Sequence, residues 1–331
     1  MSLSKALALA INRIVFLKDR EKYFLSQCLS SPNDIAGLSL CALSRIIGRR
    51  PKIETWEPAI FLKEAEEDYG ALERGEFEAI VIHTPEYPEA LSRIYDPPFL
   101  LYCRGEKKIL SMPSLAIVGT RDPSPGASAE AFRWGAEASG CGLSVVSGLA
   151  RGVDAAAHKG AVAAGGKTLA VLGSGIDSIY PQSNKRLAMD ILNGNGALIS
   201  EFHPGTGPLK YNFPKRNRII SGLCPATLLI QAPKKSGALI TADFALEQDR
   251  DVYVERNCLD LPRNEGCKDL CEQGAKAVGH VRELDFGPDD CYEIPFVRKS
   301  ENGNCEQIAR QMELELTDRI LRYKNYFLEI A

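Results

Sequence analysis

The segment Thr206–Gly222 gathers Lys210, Lys215, Arg216 and Arg218 around one aromatic, Phe213, at the start of a predicted helix. Pro214 suits a first helical turn, where its missing N–H has no intrahelical partner to lose. The free N–H groups and positive dipole end of such a helix favour a phosphate. Guanidinium and ammonium groups grip phosphate oxygens, and an exposed Phe offers a face on which a base stacks. Charge with one stacking ring is the chemistry of single-stranded nucleic acid. Taken alone, the segment reads equally well as a solvated basic turn with Phe213 buried.

The elements that must position these residues have a regular pattern. Apolar runs at Leu115–Gly119, Leu143–Ser147, Thr168–Gly173, Ala197–Phe202, Thr227–Ala232 and Asp251–Glu255 alternate with helical stretches. Continuous apolar strands separated by helices imply a parallel sheet covered on both faces. A doubly wound α/β domain is expected over residues 76–286, with its ligand outside the carboxyl ends of the strands. Those ends read Gly119-Thr120-Arg121, Ser147-Gly148-Leu149-Ala150-Arg151-Gly152 and Gly173-Ser174-Gly175. Glycines there let backbone approach a ligand, hydroxyls donate to phosphate, and Arg121 and Arg151 favour an anion. Tight βα turns need glycine in any case, so one such turn alone means little.

Residues 1–75 read as several short helices, broken at Ser30-Ser31-Pro32-Asn33 and Arg49-Arg50-Pro51, and hence as a small all-α domain. Ser39–Gly48 is one such helix, ended by its glycine. Between the helices and the main domain, Ala79–Ile82 and Phe99–Cys103 are short strands. Residues 287–331 form a polar tail, in which Ile308, Met312, Leu316, Ile320 and Phe327 predict an amphipathic helix over Asn304–Ile330.

Composition narrows the function. The 331 residues carry a formal net charge of −3, so nucleic-acid contact must come from a local patch. No apolar run approaches the ~20 residues that span a bilayer, and the first twenty residues read as an amphipathic helix rather than a signal peptide. The ten cysteines form no secreted-type framework, and reduced thiols in a cytoplasmic protein are expected. Cys258, Cys267 and Cys271 match no common zinc spacing, so neither metal nor cofactor is expected.

Enzymatic readings lack their constellations. Gly173-Ser174-Gly175 begins a dinucleotide fingerprint, but Ser178 stands where the third glycine belongs, and no Walker A motif occurs. Ser147, His158 and Asp154 lie near one another in sequence without a Gly-x-Ser-x-Gly elbow, so His158 reads as a packing residue. Glu201 and Asp243 are ordinary hydrogen-bonded or solvated carboxylates.

Many pieces in one order resemble the DprA/Smf family, the bacterial DNA-processing proteins of transformation. They include Tyr87-Pro88, Asp96-Pro97-Pro98, Gly119-Thr120-Arg121, Val146–Asp154, His158, Ala170–Asp177, Tyr180-Pro181, Asn184, Ile199-Ser200-Glu201, Pro204-Gly205-Thr206, Phe213–Gly222 and Ser236–Ala242. The resemblance covers Tyr87 to Ala275. It implies an extended Rossmann-like domain that binds single-stranded DNA without nucleotide hydrolysis, protects it and delivers it to RecA, often as a homodimer. It also implies that Arg121 contacts phosphate, Lys210 lines a basic pocket and Phe213 stacks a base. The expected DNA-binding set is Gly119, Thr120, Arg121, Ser147, Gly148, Arg151, Lys210, Phe213, Lys215, Arg216, Asn217, Arg218, Ser236, Gly237 and Thr241. Arg121, Lys210, Arg216 and Arg218 would neutralise phosphates, while Ser147, Gly148, Ser236 and Gly237 would supply N–H and hydroxyl contacts. Two departures stand out: Val254-Glu255-Arg256-Asn257 replaces a Val-Pro-Gly turn, and Lys268 replaces the Asn of a Gly-Cys-Asn turn. The alternative is a nucleotide-binding protein or nucleoside-monophosphate phosphoribohydrolase of the same superfamily. Its Pro-Gly-Gly-x-Gly-Thr-x-x-Glu motif falls at Ala232–Ala242, where the catalytic Glu has no counterpart.

Overall fold

Five helices precede the first strand in the computed structural model: α1 (Lys5–Asn12), α2 (Asp19–Cys28), α3 (Pro32–Ala36), α4 (Leu40–Ile47) and α5 (Pro58–Glu73). The structure describes residues 3–286 and, beyond them, the backbone of 296–298, 320–323 and 326–329. Local chemistry sets the helix ends. Ser4 and Ser39 accept N–H groups of α1 and α4 through their hydroxyls, and Gly48 closes α4. Leu7 to Ile11 of α1 are all buried, and Asn12 Nδ2 donates to the Tyr102 hydroxyl at 3.2 Å. The helical segment therefore shares one apolar core with the sheet.

The chain continues as β1 (Glu78–Val81), α6 (Glu89–Ser92), β2 (Leu100–Gly105), β3 (Ser114–Val118), α7 (Pro125–Gly140), β4 (Ser144–Ser147) and α8 (Val153–Ala163). There follow β5 (Thr168–Val171), α9 (Lys185–Asn193), β6 (Ala197–Ser200), α10 (Asn212–Gly222), β7 (Ala226–Leu229), α11 (Gly237–Glu247), β8 (Asp251–Glu255), α12 (Glu265–Glu272) and β9 (Lys276–Val278). Among the described residues these strands form one nine-stranded sheet in the order β1-β2-β6-β5-β4-β3-β7-β8-β9. The seven strands from β6 to β9 in that order are parallel, while β2 runs antiparallel to both β1 and β6. This is the extended, mostly parallel Rossmann-like sheet expected from the sequence. The short edge strand β9 is the one member that the apolar pattern does not reveal, since Lys276 opens it and only three residues pair.

Alternation along β3 shows how both faces are covered. Ala116 and Val118 belong to the core shared with the N-terminal helices, whereas Leu115 and Ile117 join Trp134 and Ala157 of α7 and α8. After β3 the chain steps outward through β4, β5 and β6, then returns to the other side of β3 as β7. The boundary between β3 and β7 is thus the topological switch point, and Gln231 after β7 holds the loop after β3 there, its backbone O accepting Thr120 N–H and its Oε1 accepting Ser124 N–H, each at 2.8 Å.

The amphipathic helix expected over 304–330 is corrected where the backbone is described. Ile320–Tyr323 (β11) and Tyr326–Glu329 (β12) pair antiparallel, with Tyr323 opposite Tyr326, and Phe296–Arg298 (β10) pairs with β12. Aromatic and β-branched residues in these short runs favour strands over a helix. Residues 304–319 lie outside the described residues.

At the end of β8 the replacement of Val-Pro-Gly has a clear structural consequence. Glu255 is buried and accepts the indole N–H of Trp134, with Arg133 Nη2 at 3.4 Å. Arg133 also pairs with Glu130 at 2.8 Å and Glu137 at 2.5 Å, so one cation serves three carboxylates. The nearby turn is held by Asn264, whose Oδ1 accepts Ala232 N–H and whose Nδ2 donates to Cys258 O. Lys268, in the other departing position, reaches solvent and stands 3.9 Å from Asp260.

Burial pushes the Glu255 carboxyl up to about 8, against the pull of Arg133. Between its ordinary value near 4.3 and about 8, the folded protein then holds a proton that the unfolded chain releases. Stability must fall as pH rises through that window, by up to about 1.4 kcal/mol per pH unit. Glu255→Gln keeps an acceptor for Trp134 and should flatten this decline, as read by urea unfolding from pH 5 to 9.

Candidate nucleic-acid interface

Arg216 organises the recess at the strand ends. Its guanidinium is buried and donates through Nη1 to Gly148 O at 2.8 Å and to Val171 O, at the ends of β4 and β5. A side chain at Gly148 would collide with this guanidinium, its Cβ falling 2.6 Å from Nη2. Burial lowers the Arg216 pKa to about 10, with Asp154 opposing and Arg121 adding to the shift, so the group stays cationic at neutral pH. Asp154 in turn accepts Gly148 N–H at 3.1 Å and Ala150 N–H at 3.4 Å, fixing the loop after β4.

Phe213 stands one helical turn before Arg216, on the same face of α10. Its ring lies on Gly173, where a Cβ would fall 2.6 Å from Cδ1. The Arg121 guanidinium sits 5.6 Å from the ring centroid and the Tyr180 ring 5.5 Å away. Arg121, Gly148, Ala150, Arg151, Tyr180, Pro181, Phe213 and Arg216 together line this recess. Arg121 and Arg151 are exposed, as is Lys210 just before α10. The ring on which a base would stack and the cations that would hold phosphate therefore meet at one sheet edge.

Other members of the expected set have different partners. Lys215 Nζ lies 2.8 Å from Glu201 and 3.8 Å from Asp19, and stands over the Phe202 ring. Arg218 is buried, with Nη2 at 2.7 Å from Glu201 and 3.4 Å from Asp19. These two cations are compensated inside the protein, which corrects the expectation that Arg218 faces phosphate. Ser147 is fully buried and its hydroxyl donates to Ile117 O at 2.6 Å; Gly148 N–H is likewise taken by Asp154. Thr120 Oγ1 accepts Asp122 N–H at 3.3 Å, and Gly119 packs on Val153. Ser236 caps α11 by accepting Ala238 N–H, Asn217 donates to Gly237 O, and Thr241 is buried. Ser236 and Gly237 line a separate recess with Lys234, Lys235 and Ile240.

Tyr180 and Pro181 carried no role in the sequence reading. Their signal is an aromatic residue next to proline in the loop after β5, which marks an ordered turn. Asp19 was missed as well, because a lone carboxylate near a helix start reads as a cap. The packing role of His158 is clear: the ring is buried, its Nδ1 is 2.6 Å from Thr168 Oγ1, and burial lowers its pKa to about 3. Among the described residues no group of three His, Cys, Asp or Glu is placed to hold a metal ion. Cys28, Cys41, Cys103, Cys224, Cys258, Cys267 and Cys271 are free thiols, whereas Cys141 is disulfide-bonded, a correction to the all-reduced expectation. No described helix is long and apolar enough to cross a membrane.

An open, mostly parallel α/β sheet with a cationic, aromatic recess at the ends of β3, β4 and β5 defines a Rossmann-like protein. The model of the DNA recombination-mediator protein A family matches residues 78–285, and the chain belongs to that family, the DprA/Smf proteins. It is 41% identical over 226 residues to DNA processing protein DprA of Streptococcus pneumoniae, covering 67% of this chain and 79% of that one. The X-ray structure of DprA from that organism matches with a TM-score of 0.69 and 33% identity, over 85% of this chain and 96% of that one. A DprA structure from Helicobacter pylori, described for its single-stranded DNA binding mode, matches with a TM-score of 0.56 and 30% identity. It covers 62% of this chain and 94% of that one. The chain is thus a DNA-processing protein of a DNA-binding, non-enzymatic family.

The Asp19 carboxyl is pushed up by burial, but Lys22, Lys215, Arg218 and the Phe99 N–H outweigh this and hold it below its ordinary value. Its contribution is therefore present above about pH 4 and lost as pH falls through the folded value. Asp19→Asn leaves buried cations short of a partner and should cost about 3–5 kcal/mol in urea unfolding at pH 7. The gap to wild type should close on acidification.

Proposed function

We propose that this protein binds single-stranded DNA across the recess at the ends of β3, β4 and β5, protects the strand and delivers it to RecA. The observation that carries the reading is Arg121 poised 5.6 Å over the Phe213 ring, with Gly173 behind it. One group supplies charge for a phosphate and the other a flat apolar face for a base, within a single step of a nucleic-acid strand. Arg151 extends the positive rim, Arg216 adds charge from beneath, and Lys210 is exposed three residues before Phe213 in the chain. Duplex DNA keeps its bases stacked on one another, so a buried-edge ring of this kind favours the single strand. The Helicobacter pylori relative described for single-stranded DNA binding supports the same assignment. We place the protein in the cytoplasm as a homodimer acting in natural transformation.

Fluorescence anisotropy with a labelled oligonucleotide tests this reading. The single strand should bind in preference to the matching duplex, and Phe213→Ala should cost about 1–3 kcal/mol with an unchanged salt slope. Arg121→Ala should make the slope of log affinity against log salt shallower by about 0.7, one phosphate contact. Lys215→Gln should leave the slope nearly as it is, because that cation is already paired. Equal binding to duplex, or indifference to Phe213→Ala, would refute the assignment. Faster nucleation of RecA on the bound strand is the expected sign of delivery.

A further inference from the structure

The loop between β5 and α9 brings a second aromatic ring to the recess. We propose that Tyr180 is a second stacking platform, so that the site holds two successive bases of a single strand rather than one; this rests on the single-strand reading above.

Three observations carry the inference. Tyr180 lines the recess with 44% of its surface exposed, although its ring packs on Phe213. The two rings are 5.5 Å apart and tilted by 46°, which leaves no space for a planar base between them. A base on Phe213 must then take the side over which the Arg121 guanidinium lies, and a second base the exposed side of Tyr180. The loop is also pinned on both flanks: Ser174 Oγ donates to Ser178 O, and Asn184 Nδ2 donates to Leu149 O at 2.9 Å and Ala150 O at 3.1 Å. A half-exposed aromatic residue on an ordered loop is a preorganised surface, because little freedom is lost when a flat ligand lands on it. Other exposed tyrosines, such as Tyr95, are outside this recess and are ordinary surface residues.

The tilt between the rings has a chemical consequence for the ligand. Two bases stacked on planes 46° apart cannot stay stacked on each other, so the strand is splayed at this step. A duplex resists that distortion, and a mononucleotide can occupy only one of the two rings. The minimal ligand is a dinucleotide step with a phosphate between its bases, within reach of the Arg121 side of Phe213.

The full chain with Tyr180→Ala, Tyr180→Phe, Phe213→Ala and the Phe213→Ala/Tyr180→Ala double change should be titrated against labelled oligothymidylate. Tyr180→Ala should weaken binding about fivefold to a hundredfold, with an unaltered salt slope. Tyr180→Phe should stay within about twofold of wild type, since the ring rather than the hydroxyl is used. Adding Tyr180→Ala to Phe213→Ala should cost a similar factor again, and the Tyr180→Ala loss should vanish on a strand of abasic residues. If Tyr180→Ala costs nothing, or nothing further in the Phe213→Ala background, the ring serves only as a prop for Phe213 and the inference fails. A loss that persists on the abasic strand overturns it too. A wild-type chain that binds no single strand overturns both readings together, whereas loss with Phe213→Ala alone overturns only this one.

Discussion

A single buried guanidinium ties the binding edge together. Arg216 comes from α10 and satisfies two carbonyls that the ends of β4 and β5 leave free, those of Gly148 and Val171. An unpaired buried carbonyl is costly, and so is an unpaired buried charge. Each therefore fixes the other, and Asp154 supplies the opposing charge while gripping the same loop through two N–H groups. Because Phe213 lies one turn earlier on the helix, the docking of Arg216 also sets the ring on Gly173. Position of the apolar face is thus a by-product of satisfying polar backbone.

The cations of α10 divide according to the side of the helix on which they fall. Arg216 faces the sheet ends; Lys215 and Arg218 face Glu201 and Asp19. Sequence spacing alone lumps these three residues into one basic patch. The structure separates a supporting cation and two neutralised ones from the exposed Arg121, Arg151 and Lys210. A modest number of exposed cations agrees with a chain of slight net negative charge, which holds polyanions by local geometry and not by bulk attraction.

Much of the fold was legible because the parallel strands are buried on both faces and so read as unbroken apolar runs. The glycine-rich turns at their ends lie at the edge where Arg121, Phe213 and Arg216 gather. What could not be read was pairing over long distances. Asp19 looks like a helix-start carboxylate until α2 is set against α10, where Arg218 stands 199 residues further along the chain. Ser147 looks like a phosphate ligand until its hydroxyl is seen to face Ile117 O. Tyr180 looks like turn punctuation until its ring meets Phe213. The tail was misread for a related reason: Ile320 and Phe327 fit a helical stripe, yet the aromatic runs around them pair as short strands.

The ion pairs between α2 and α10 make the helical layer part of the electrostatics of the recess. Asp19 is a counter-charge that masks part of the basic surface of α10, and it sits near the beginning of the chain. Without that layer Lys215 and Arg218 would keep Glu201 as their shared partner and lose Asp19. One carboxylate, Glu201, would then answer two cations, so the charge displayed beside the recess is set by a helix far away in the sequence as well as by the cations on show.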